Sequence, residues 1–423
     1  MKTSYPIFIV IVVSIIASRP SMAENAEITE NLSQLISTAL ASNPELKASQ
    51  ARWEMFRSRV DQAKALDDPM LMLKIQNGII RDPFDFSRDG MTQKVIGVSQ
   101  QLPFWGKRAL KGEVAEQEAE SYRWALEERK LELARMVKES YYQIYFIDRS
   151  LTIVDKNIRV FDNFITLAQS RYSVGQGMQQ DIFKAQVERS KMLDMRITLE
   201  QQRKSREASL NTLLSRPTDT PIGPIADFAV LPLSLTAEQL GTIADEYRPL
   251  LKGYRALVEK AGAGLKLAKK EYLPDFNLAF EYMQRDPAMG SDGSDMYSLG
   301  VTFNLPLQKS RRQAAVAESN AEVRMAAEEL NSLRNSINEG ISDLLSQLER
   351  RRKLADLYKT GIIPQARQSL ESAVIGYRVN KVDFLALLDS RVTLFNYERE
   401  YYDSIADYQM KKAQLEALVG KEL

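Results

Sequence analysis

Apolar residues fall at Ile144, Ile147, Leu151, Val154, Ile158, Phe161, Ile165, Ala168 and Tyr172, in alternating steps of three and four through otherwise polar sequence. This spacing lines one side of an α-helix and predicts a heptad seam packed on a second helix. The helical pattern runs from about Trp105 to Tyr172, a rod on the order of 100 Å long at 1.5 Å per residue. Ser173-Val174-Gly175-Gln176-Gly177 then predicts a reversal, because Gly accepts the left-handed conformation that ends a helix. A return helix is predicted from Gln180 to Leu214.

The chain writes this pattern twice. Leu102-Pro103-Phe104 returns as Leu305-Pro306-Leu307, a step of 203 residues; Tyr172 returns as Tyr377 and Leu210 as Leu415, steps of 205. The second copy predicts a long helix from Lys309 to Tyr377, kinked at Pro364. A turn at Arg378-Val379-Asn380-Lys381-Val382 and a return helix from Phe384 to Val419 complete it. Ahead of each long helix, Asn31 to Gln34 and Thr236 to Gln239 predict capping boxes. The helices they open should break before Pro44 and Pro249 and resume to about Leu66 and Tyr272. The organisation is therefore a first repeat over residues 24–215, a Pro-rich linker over 216–235, and a second repeat over 236–423.

At Pro69 and Pro274 the period changes from 3.6 to 2. Phe276, Leu278, Phe280 and Tyr282 alternate with polar or small residues, as do Tyr297, Leu299, Val301, Phe303 and Leu305. The first copy repeats this with Leu71, Leu73 and Ile75, then Ile96, Val98 and Leu102. Each run of about 9 to 12 residues has the length of a tilted strand crossing hydrocarbon. Two readings fit these hairpins: part of a membrane barrel, or an amphipathic hairpin packed on a soluble core. Four strands cannot close a barrel, and open edges are not tolerated in lipid. The membrane reading thus demands an oligomer, with three copies supplying twelve strands.

The start of the chain bears on this choice. Lys2, an apolar run from Ile7 to Ile16 and the small residues Ser21 and Ala23 read as a secretory signal, residues 1–23, cleaved after Ala23. The run is too short for a spanning anchor, and no other run approaches that length. The formal net charge of +1 becomes −1 when Lys2 and Arg19 leave with the leader, so no basic footprint for nucleic acid exists.

The 423 residues contain neither cysteine nor histidine. That removes disulfides, thiolate sites, the usual transition-metal ligands and the commonest general base. No nucleophile-elbow, phosphate-loop, dinucleotide or zinc-protease motif is present. The chain is read as no enzyme, with no cofactor and no metal site. Met283, Met289 and Met296 surround one loop, but methionine is ordinary gap-filling material and is assigned no ligand role.

The duplicated order, the Gly97 to Phe104 strand end echoed from Gly300 to Leu307, and the Tyr172 to Gly175 turn with a following Asp together resemble the TolC family of bacterial outer-membrane channel proteins. Asp68-Pro69-Met70-Leu71-Met72 and Gly97 to Arg108 resemble its heavy-metal cation efflux branch. The resemblance implies a mainly α chain with a small membrane β part: a homotrimer in which long-helix hairpins form an α-helical barrel and four strands per chain form a 12-stranded β-barrel. It implies outer-membrane lipid, a periplasmic membrane-fusion adaptor and an inner-membrane efflux pump as partners. Val174, Gly175, Gln176, Val379, Asn380 and Lys381 match the adaptor-docking tip. Asp389, Tyr377 and Asp181 match the pore gate, while Ala386 and Val382 depart from the family's second acid and its gate arginine. The implied function is a passive exit duct for small substrates, metal cations among them. The exit channel of a type I protein secretion system and a periplasmic coiled-coil scaffold are the alternatives.

Overall fold

The computed structural model describes residues 31–423 except Met289 and Ser291. The expected signal over residues 1–23 and the Met289 position lie outside the described residues. In chain order the elements are α1 (Leu32–Ser42), α2 (Pro44–Lys64), β1 (Met70–Gln76), β2 (Gln93–Leu102), α3 (Lys107–Ser173) and α4 (Gln179–Leu213). The second repeat follows with α5 (Ala237–Tyr247), α6 (Pro249–Lys270), β3 (Phe276–Gln284), β4 (Met296–Phe303), α7 (Lys309–Leu357), α8 (Ile363–Arg378) and α9 (Phe384–Val419).

Local chemistry accounts for the boundaries. Asn43 and Arg248 are extended, as residues before proline should be, and Pro44 and Pro249 open the next helices. Thr236 and Gln239 form the expected capping box. Asn31 does not: its side chain accepts from the Ser33 N–H, an Asx-type cap without the reciprocal bond from Gln34. The break expected at Pro364 begins earlier, as a π-helical turn over Tyr358–Ile362. Pro lacks an N–H for its i−4 carbonyl, and the wider turn immediately before it absorbs the mismatch.

The 67-residue α3 runs from the sheet to the far turn, on the order of 100 Å. Near the sheet it packs on α2 and α6, and beyond its middle on α4 and α9. This double duty widens the predicted seam. Ile144, Ile147, Val154, Phe161 and Ala168 are buried as expected, but so are Ile153, Phe164 and Arg171, whereas Tyr172 is exposed. A helix facing two neighbours buries a broader stripe than a two-stranded seam.

The residues expected as a linker form a strap without regular structure that crosses the helices. Ile222 and Ile225 are buried beside Leu210 and Leu214, and the Phe228 ring packs tilted against Tyr145 at 4.4 Å between centroids. The Tyr145 hydroxyl donates to Asp227 and the Tyr408 hydroxyl to the Leu231 carbonyl. Pro and Gly there deny the segment a helix, and its apolar side chains and carbonyls tie the two repeats together instead.

The four strands form one antiparallel sheet in the order β1-β2-β3-β4. At seven residues β1 is shorter than the 9 to 12 expected. It ends at Asn77, whose left-handed backbone starts the loop and whose side chain donates to the Met91 carbonyl. The register pairs Leu71 with Val98, Val98 with Phe280 and Phe280 with Leu299. By the alternation of strands, Leu73, Ile96, Leu278, Tyr282, Tyr297 and Val301 share that face, and all are more than 40% exposed. The opposite face carries Lys74, Gln101, Asn277, Glu281, Ser298 and Thr302, with Lys74 paired to Glu281 at 3.3 Å. Apolar residues occur there too: Val95, which is buried, and the methionines Met70, Met72, Met283 and Met296.

Where sheet meets helices, Lys107 is 1% exposed. Its Nζ lies 3.0 Å from Asp275 and 3.5 Å from Glu271 and donates to the Leu273 carbonyl at 2.9 Å. A buried ammonium needs such full pairing, and here it fixes the start of α3 to the second repeat.

Candidate functional site

The two hairpin turns lie at the end of the helices opposite the sheet. In the first, Gly175 adopts φ +74° and its N–H donates to the Tyr172 carbonyl, while Gln176 donates to that of Arg171. In the second, Asn380 adopts φ +63° and donates to the Tyr377 carbonyl. These are the left-handed positions the turn residues predict. Asp383 caps α9 by accepting from the Ala386 N–H at 2.8 Å. Val174, Gly175, Gln176, Val379, Asn380 and Lys381 are all exposed. They form a small, polar surface with two apolar side chains.

The expected gate residues divide into two places. Tyr377 is buried, its ring 5.2 Å from Phe384, and its hydroxyl has no hydrogen-bond partner. Burial raises its phenol pKa, the Asp181 charge adds to that, and Arg171 opposes. Asp181 and Tyr377 are thus neighbours at the turn. Asp389 is exposed on α9 and lines a groove of about 480 Å³ against α4, with Phe183, Val187 and Leu385. Lys184 and Lys191 share that groove. No hydrogen bond or ion pair joins Asp389 to Tyr377 or Asp181.

The residue that reading the sequence missed is Arg171. It is 7% exposed and stacks its guanidinium 4.5 Å above the Tyr377 ring. One terminal nitrogen donates to the Tyr377 carbonyl and the other to the Gln176 carbonyl at 3.1 Å. It therefore latches the first turn to the second hairpin. The second repeat holds Gly376 at the corresponding place, where an added Cβ would lie 2.6 Å from Val382 Cγ2. The latch exists once per chain, on the first repeat. Its sequence signal was an arginine falling on the buried stripe, three residues after Ala168.

A second polar group sits higher between α3 and α9. Arg391 donates to Asn157 Oδ1 at 2.7 Å, and Lys156 lies 3.1 Å from Glu398. Burial holds the Arg391 guanidinium below its ordinary pKa range, with Glu398 opposing. Inside a packed seam such pairs fix register between helices.

Among the described residues no group of three or more His, Cys, Asp or Glu is placed to hold a metal ion, and no helix is long and apolar enough to cross a membrane. The arrangement supplies surfaces, a latch and charge along a rod.

Known proteins share this architecture. The family model described as outer membrane efflux protein matches residues 35–216 and 241–421, the two repeats. The outer membrane efflux protein BepC of Brucella suis biovar 1 is 21% identical over 383 residues, which cover 89% of this chain and 82% of BepC. The cobalt-zinc-cadmium resistance protein CzcC of Cupriavidus metallidurans is 21% identical over 391 residues, covering 92% of this chain and 90% of CzcC. Among solved structures, the outer membrane protein VceC of Vibrio cholerae superposes with a TM-score of 0.78 at 17% identity, over 92% of this chain and 96% of VceC. At that identity the superposition speaks for the fold alone.

Proposed function

We infer the function from the family: this chain belongs to the outer membrane efflux protein family. It lies in the outer membrane and extends a large helical part into the periplasm. We propose that three chains close one tube, a 12-stranded barrel in the membrane continued by a helical barrel, which serves as the passive exit duct of a tripartite efflux system. The observation that carries this is the sheet: one face is largely apolar and exposed across all four strands, the other carries most of the polar and charged side chains, and both edges are unpaired. Apolar strands with open edges are stable in lipid only when neighbouring chains complete the hydrogen bonding. Exposed Phe183, Val187, Ile197 and Ile375 support the same conclusion for the helices, which keep apolar positions for other protomers.

The exposed turns are the docking tip for a periplasmic adaptor bound to an inner-membrane pump. Likeness to CzcC, together with the strand-end sequence, favours metal cations as cargo. Because the chain has no cysteine, Gln176→Cys supplies its single thiol for a photo-crosslinker in live cells. Capture of an adaptor partnered with a metal-cation pump supports this reading. Capture of an adaptor from an ATP-driven exporter favours protein secretion, and capture of soluble periplasmic proteins alone contradicts the duct.

The gate is proposed at the same end, with Asp181 and Tyr377 around the latch and Asp389 facing the lumen. Three Asp389 carboxylates in a narrow passage attract cations. Asp389→Asn is expected to move the reversal potential in a salt gradient toward zero. An unchanged potential removes Asp389 from the pore.

A further inference from the structure

At the helix end of the sheet, a groove of about 550 Å³ opens on the same face as the apolar stripe. That volume is within the range of about 300 to 1,000 Å³ typical of small-molecule sites. Leu102, Phe276, Leu278 and Val301 form its wall, and all four belong to the lipid-facing register. Trp105, 77% exposed, borders it with its ring 5.8 Å from Phe276. The groove is therefore continuous with the membrane surface and ends where the chain enters the periplasm. Tryptophan is at home at that depth, its ring in the acyl region and its N–H toward water.

Arg108 stands at the mouth of this groove. It is exposed, and no ion pair or hydrogen bond engages it. Lys111, three residues on and so on the same side of α3, is likewise exposed and unpaired. The nearby carboxylates Glu271 and Asp275 are already committed to buried Lys107. The first turn of α3 contains no acid, so these cations stand against the helix dipole as well. Lys309, Arg311 and Arg312 repeat that arrangement at the start of α7, whose first turn also lacks an acid. An anion beside Arg108 and Lys111 would relieve both conditions.

We propose that this groove is a binding site for an anionic phospholipid of the periplasmic leaflet. One acyl chain lies along Leu102, Phe276 and Val301 under the Trp105 ring, and the phosphate is held by Arg108 with Lys111. Free phosphate is a poorer occupant, because it leaves the apolar wall in water. The site anchors the height of the duct, since it fixes the point on α3 at which the headgroup layer sits. The inference rests on the sheet standing in the membrane as a trimer.

The test is native mass spectrometry of the delipidated, detergent-solubilised protein titrated with phosphatidylglycerol or phosphatidylcholine. Wild type is expected to retain phosphatidylglycerol preferentially, up to three molecules per trimer. The double variant Arg108→Gln, Lys111→Gln is expected to lose on the order of tenfold in phosphatidylglycerol affinity and little for phosphatidylcholine. Trp105→Ala is expected to weaken both lipids. Both cations are exposed and unpaired, so the double variant keeps the fold. Equal retention of the two lipids by wild type, or a preference that survives the double variant, overturns the proposal. The same spectrum reads the trimer mass, so failure of the lipid site and failure of the trimer are separate results.

Discussion

Leu299→Arg is expected to abolish assembly in the outer membrane, whereas Ser298→Arg, one residue away, is tolerated. Leu299 lies mid-strand on β4 beside Phe280, 69% exposed on the apolar face, and Ser298 points to the polar side. An arginine at the bilayer midplane of a barrel costs about 2 to 4 kcal/mol. Three copies in one trimer raise that to roughly 6 to 12 kcal/mol, comparable with the whole stability of a typical domain. In a soluble protein the same change at an exposed leucine would be worth about 0.5 kcal/mol or less. Fractionation of cells expressing each variant checks this. Leu299→Arg recovered in the outer membrane at the wild-type level would contradict the lipid-facing assignment.

Removing the latch is the second large effect. Arg171→Ala leaves the Gln176 carbonyl without its donor, removes the charged donor to the Tyr377 carbonyl and takes the guanidinium off the Tyr377 ring. Hydrogen bonds from a charged donor contribute about 1.5 to 3 kcal/mol each, so the turn loses on the order of 3 kcal/mol or more of attachment. That is enough to shift a two-state turn by about a hundredfold in population. The expected result in planar bilayers is a several-fold higher conductance for Arg171→Ala than for wild type. Arg171→Lys should fall between, because an ammonium lacks the planar fork that spans two carbonyls. Wild-type conductance in Arg171→Ala would place the gate elsewhere.

The periodic parts of this fold were legible. The return helix from Phe384 to Val419 has the predicted bounds, and Phe276, Leu278, Phe280 and Tyr282 stripe one face as their alternation requires. Both turns have their left-handed residue at the Gly or Asn that permits it. What the sequence concealed depends on neighbours. The seam of α3 is wider than a heptad because two helices pack on it, and Tyr172 is exposed although its repeat counterpart Tyr377 is buried. The Pro-rich strap looked like a spacer because its contacts are made by backbone carbonyls and scattered apolar residues without a period. The proposed gate shows the same limit. The Asp181 charge reaches Tyr377 without a hydrogen bond between them, Asp389 stands apart, and Arg171 completes the turn from a position whose counterpart is a glycine.

The unpaired edges give the most direct test of a tube closed by three chains. In a chain without cysteine, Met72→Cys on β1 can be combined in turn with Ser298→Cys, Gly300→Cys or Thr302→Cys on β4. All four lie on the polar face, and opposed residues on adjacent antiparallel strands bring Cβ atoms to about 4.5 to 5.5 Å. Oxidation of outer membranes followed by denaturing electrophoresis then reads the number of chains joined edge to edge. Closure by three predicts, for at least one register, a ladder that stops at the trimer. Monomer in every register, or a ladder running beyond three chains, would contradict it.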